Sequence, residues 1–80
     1  MIGIVLFGHG NLATEFVRAA EMILGPQKLL VAVGVEPEDR EADIDDRLNA
    51  AIETADHGQG VLLLTDMFGG TPSNLAYSFL

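Results

Sequence analysis

The side chains best able to do chemistry in this sequence are His9, set between two glycines in Gly8-His9-Gly10, and Asp66, which opens the run Asp66-Met67-Phe68-Gly69-Gly70-Thr71-Pro72. A neutral imidazole is a competent nucleophile near neutral pH, because its ordinary pKa is about 6.5. It attacks phosphorus well when its second ring nitrogen keeps a proton and a fixed direction. A carboxylate accepting that N–H supplies both, and it offsets the positive charge that develops on the ring. Asp66 is the predicted carboxylate. Gly10 and Asn11 stand at the start of one expected helix, and Gly69, Gly70 and Thr71 at the start of another. Both stretches would turn backbone N–H groups and a helix amino terminus toward an anion. The Thr71 hydroxyl would add a donor. Such a set suits acceptance of a phosphoryl group on His9 and calls for neither a metal ion nor a cofactor.

These residues need elements that bring them together. Residues 2–7 form a continuous apolar run rich in β-branched side chains, as expected of a strand covered on both faces. Residues 11–24 carry Leu12, Phe16, Ala20 and Ile23 on one helical stripe and end at Gly25-Pro26. Residues 29–35 read as a second strand, closed by Glu36-Pro37. An acidic stretch, 36–46, then leads into a helix with Ile44, Leu48, Ala51, Ile52 and Ala55 on its apolar face. Residues 61–65 read as a third strand, with Asp66 at its carboxyl end. Thr71-Pro72 supplies an N-cap and first-turn proline for a third helix. Strands alternating with helices predict an α/β fold of three layers, α/β/α, around a mostly parallel sheet joined by right-handed crossovers. The expected strand order is 2-1-3. It places the carboxyl ends of strands 1 and 3 side by side at the point where the winding reverses, the usual ligand position in such sheets. Adjacent strands are ~4.8 Å apart, so His9 and Asp66 would be within reach of each other.

Composition narrows the field. With 80 residues the chain is one small domain, residues 1–80, without linker or repeat. Absence of cysteine excludes a disulfide framework and thiolate metal ligands. Twelve acids against four bases give a formal charge of −8, which disfavours nucleic acid and anionic lipid as partners. A charged partner should present a neutral or basic face. The apolar opening lacks the basic flank of a signal peptide, and no run approaches the ~18 residues of a spanning helix, so a cytoplasmic protein is expected. His57, beside Asp56, reads as a residue at a helix carboxyl terminus. The acids Glu38, Asp39, Glu41, Asp43, Asp45 and Asp46 read as a solvated first turn, without the glycine and terminal glutamate of a calcium loop. Met67 and Phe68 read as packing residues beneath the loop.

Three segments together resemble the mannose-class enzyme IIA family of the bacterial phosphoenolpyruvate-dependent sugar phosphotransferase system. They are Ile4-Val5-Leu6-Phe7-Gly8-His9-Gly10, Ala20-Glu21-Met22-Ile23-Leu24-Gly25, and residues 64–74 around Asp66-Met67-Phe68-Gly69-Gly70-Thr71-Pro72. The resemblance runs along the whole chain. It implies that His9 accepts a phosphoryl group from the phosphorylated histidine-containing phosphocarrier protein and passes it to enzyme IIB for sugar uptake. It also implies that Asp66 orients His9 and that Thr71 is the hydroxyl residue of the active-site loop. Family domains continue past this length and form homodimers by exchanging an edge strand. The resemblance therefore implies a domain truncated at its carboxyl end, a homodimer at full length, and contact with the membrane only through the transport complex.

Other readings compete. A regulatory homologue of the same family, controlling a kinase or a transcription regulator, would carry the same residues. A dinucleotide-binding fold would explain Gly8-His9-Gly10-Asn11-Leu12-Ala13 as G-x-G-x-x-G/A and Glu36 as the ribose acid, but leaves Asp66 and the Gly-Gly-Thr-Pro run without a role. A receiver domain phosphorylated on Asp66 would need magnesium-binding acids after strand 1, where this sequence has His9 and Asn11.

Overall fold

The computed structural model describes residues 2–66. The expected third helix, and with it Gly69, Gly70 and Thr71, lies outside the described residues. The elements run β1 (Gly3–His9), α1 (Leu12–Leu24), β2 (Leu30–Val35), α2 (Glu41–Ala55) and β3 (Val61–Thr65). The three strands form a parallel sheet in the order β2-β1-β3, as the alternating pattern predicts. Register pairs His9 with Val35 on one side of β1, and Phe7 with Thr65 on the other. Both neighbours of β1 therefore end close to His9.

Strand side chains alternate between the faces. Val5, Phe7, Val33 and Val35 meet Ile44, Leu48, Ala51 and Ala55 of α2 in one buried cluster, with Val61 and Leu63 of β3 packed against it. Val5, Phe7 and Leu48 are fully enclosed, and burying each such side chain is worth about 1.5–3 kcal/mol. The opposite face carries α1. Gly25 ends that helix with φ +80°, and its N–H bonds to the Glu21 carbonyl at 2.8 Å.

The predicted stripe of α1 is present but largely open. Leu12, Phe16 and Ile23 are exposed, and so are Leu62 and Leu64 of β3. Ala13 is the buried residue of this helix. The cause is geometric: α1 lies over β1 and β2, and among the described residues no element covers β3 on that side.

Helix α2 sits close to β1 because residue 3 has no side chain; a Cβ there would overlap the Ala55 carbonyl oxygen. Gly3→Ala should therefore lower stability by about 1–3 kcal/mol, the usual cost of overpacking. Urea unfolding should show this as a lower midpoint with an unchanged slope.

Candidate functional site

His9 is the last residue of β1, which runs two residues past the 2–7 strand that the apolar run predicts and takes in Gly8 and His9 from the expected turn. Asp66 follows β3 directly. The parallel β1–β3 pairing thus delivers an imidazole and a carboxylate to the same edge of the sheet. The two residues are joined three times. The His9 backbone N–H donates to Asp66 Oδ2 at 2.8 Å, and His9 Nδ1 lies 3.2 Å from both Asp66 oxygens. An ionised carboxylate only accepts, so Nδ1 carries a proton in this pair, and in the neutral ring it is Nε2 that keeps the lone pair. The His9 side chain keeps 45% of its surface exposed against 17% for Asp66. The ring is thus more open to a visiting molecule than the carboxylate bonded to it.

The bond from the His9 backbone N–H is the leading cause that holds the Asp66 carboxyl below its ordinary 3.8. Burial opposes it, and the imidazole bonds add to the lowering. Gly8 leaves room for the carboxylate: a Cβ there would stand 3.1 Å from Asp66 Oδ2, closer than most real contacts. Gly10 takes φ +58°, a left-handed conformation that suits glycine. The chain thereby turns from β1 into α1. Asn11 occupies the N-cap of α1 and makes no side-chain cap bond, so its side chain leaves the opening N–H groups of that helix to other partners. Their dipole end points to the same edge of the sheet.

Two hollows flank the pair. One, of 480 Å³, is lined by His9, Gly10, Val35, Glu36, Pro37, Asp39 and Ile44. The other, of 320 Å³, lies on the α1 side, between Leu12, Phe16, Leu64 and the Asp66 end of β3. His57 falls in the turn after α2, at the opposite end of the strands. Among the described residues, no three His, Cys, Asp or Glu side chains are grouped to hold a metal ion.

The acidic stretch is more structured than its composition suggests. Asp39 pairs with Arg47 at 2.8 Å and also accepts the Glu36 N–H at 2.8 Å. The Arg47 hydrogen bond leads in holding the Asp39 carboxyl below 3.8. Sequence reasoning missed this pair. The only signal was an arginine eight positions after an aspartate, across a loop-to-helix junction.

A doubly wound parallel sheet with a histidine–aspartate pair at its switch point defines the general class. The sequence matches the family described as PTS system fructose IIA component over residues 3–80. It is 31% identical to the PTS system fructose-specific EIIA component of Bacillus subtilis, over all of this chain and 55% of that protein. It is 35% identical to the PTS system mannose-specific EIIAB component of Escherichia coli K12, over 94% of this chain and 23% of that protein. The crystal structure of phosphotransferase system component EIIA from Streptococcus agalactiae superposes with a TM-score of 0.84 at 28% identity, covering 99% of this chain and 58% of that one. The chain belongs to the mannose/fructose IIA family of the sugar phosphotransferase system. It spans about half the length, or less, of these relatives.

The geometry has a pH consequence. A carboxyl with a lowered folded pKa stabilises the fold above its unfolded value and loses that contribution as pH falls through the folded one. Carboxyl NMR of Asp66 should therefore titrate below 3.8. The His9 N–H signal should shift in the same acid window. An Asp66 midpoint at or above the ordinary value would contradict the bonds described.

Proposed function

We propose that this chain is a phosphoryl carrier of the sugar phosphotransferase system, with His9 Nε2 as the accepting atom and Asp66 as the residue that orients it. The observation that carries this reading is the double hold of Asp66 on His9, backbone and ring, which leaves Nε2 free on an exposed imidazole. The donor is the phosphorylated histidine-containing phosphocarrier protein and the acceptor is enzyme IIB. The reaction takes place in the cytoplasm, and the full-length domain works as a homodimer. Gly10, Asn11, Gly69, Gly70 and Thr71 bind the transferred group.

The transfer balances simply. The Nε2 lone pair attacks phosphorus, an N–P bond forms to His9, and the donor's N–P bond breaks. The donor nitrogen keeps the bonding pair and leaves as neutral imidazole when its other ring nitrogen is protonated. The His9 ring retains its Nδ1 proton and becomes cationic, and the Asp66 carboxylate offsets that charge. Onward transfer to enzyme IIB reverses these steps.

Incubation with phosphoenolpyruvate, enzyme I and the phosphocarrier protein should add one acid-labile phosphoryl group, located on His9 by intact-mass and fragment analysis. His9→Ala should keep the fold and take no label; a labelled variant would overturn the assignment. Asp66→Asn should retain His9 but slow transfer by orders of magnitude. Loss of the carboxylate that orients a catalytic histidine costs about 10⁴-fold in a serine protease triad. Unchanged single-turnover kinetics in this variant would remove Asp66 from the mechanism.

A further inference from the structure

His9 is held from two flanks. Asp66 grips it from β3, and the tip of β2 holds the next residue, since the Gly10 N–H donates to the Val35 carbonyl at 2.8 Å. Nothing on β1 itself keeps the tip of β2 in place beyond Val35, because the strand ends there and the chain turns through Glu36-Pro37-Glu38. Arg47 of α2 spans that turn. Its Nη1 donates to the Gly34 carbonyl at 3.2 Å and its Nη2 meets Asp39 Oδ2 at 2.8 Å. The residues joined in this way stand on either side of Val35 and Glu36. Asp39 returns a second tie by accepting the Glu36 N–H.

We propose that Arg47 is a positioning residue for His9, acting through Gly34, Asp39 and the Val35 carbonyl on the Gly10 turn. The role presupposes that His9 is the phosphoryl acceptor. A planar guanidinium offers two parallel donors in fixed geometry, so it can join a strand carbonyl and a loop carboxylate at once. The pair is partly solvent-exposed, with 45% of the Arg47 side chain and 22% of Asp39 accessible. Exposed ion pairs add little to global stability, so the effect of Arg47 is local. It also neutralises one of the two acids lining the hollow beside His9.

Neighbouring amides give the test. The His9 N–H is bonded to Asp66 and the Gly10 N–H to Val35, so hydrogen exchange followed by NMR reads the two anchors separately. In Arg47→Ala, Gly10 exchange should quicken by about tenfold or more as the local opening becomes easier, while His9 and the core Leu48 amide stay within about twofold. Single-turnover phosphorylation of His9 should slow several-fold. Arg47→Lys, which keeps the charge but not the fork, should fall between the variant and the native protein in both measurements. Unchanged Gly10 exchange, or equally quickened exchange at Gly10, His9 and Leu48, would overturn the proposal. So would faster Gly10 exchange with an unaltered phosphorylation rate. Failure of the native protein to take a phosphoryl group would instead overturn the carrier reading, and Gly10 exchange would still decide whether Arg47 holds the turn.

Discussion

The hydrogen bonds between His9 and Asp66 depend on strand order more than on any other feature. The two residues are 57 positions apart, and only the placement of β3 beside β1 brings them together. The return crossover through α2 has to pass over β1 to reach that position, so the buried cluster between α2 and β1 is what sets the geometry at the far edge of the sheet. The contact uses the His9 backbone as well as its ring. A ring-only bond would leave the strand end free to slide. The added N–H fixes the base of the side chain and the direction of the ring together.

Packing is uneven around this pair. The α2 side is a closed core, whereas the α1 side presents Leu12, Phe16, Leu62 and Leu64 to solvent. An apolar surface of this kind calls for cover, which no element among the described residues supplies on the β3 side. The hold on His9 and Gly10 does not wait on that cover, because its anchors come from β3 and β2. His9 stands where the closed side meets the strand ends. It gains rigidity from the core while its ring stays open.

Much of this was legible from pattern alone. Alternating apolar strands and helices specify the parallel sheet, and the switch-point rule then selects His9 and Asp66 from all the titratable residues. The helical stripe of α1 was also legible, but whether it faces a neighbour depends on tertiary cover, which periodicity does not encode. Loop-mediated contacts were harder to see. Asp39 and Arg47 belong to a charge-rich stretch whose composition suits a solvated helix start, and their pairing depends on how the Glu36-Pro37 turn folds back over α2. Asn11, read as the first residue of the helix, is instead its N-cap, and its side chain makes no cap bond. Periodicity thus located the helix start to within one residue without revealing the hydrogen bonding there.

A chain with a formal charge of −8 is an unexpected host for a phosphoryl group, and the geometry suggests how the conflict resolves on the carrier reading. Asp66 faces Nδ1, so its negative charge lies across the ring from the attacking nitrogen. When phosphorus bonds to Nε2, the ring becomes a cation between two anions and is attracted to both. Asp39, one of the two acids lining the hollow on the β2 side, is already matched by Arg47. Among the described residues, what remains for the phosphoryl oxygens is the dipole end of α1 and the backbone around Gly10, and with Gly69, Gly70 and Thr71 of the proposed site this is still a weaker hold than a cluster of lysines and arginines would give. Weak retention is what a carrier requires. A site that bound the phosphoryl group deeply would lower the free energy of the phosphohistidine and trap it. One that orients the histidine but holds the phosphoryl group loosely keeps transfer close to reversible in both directions.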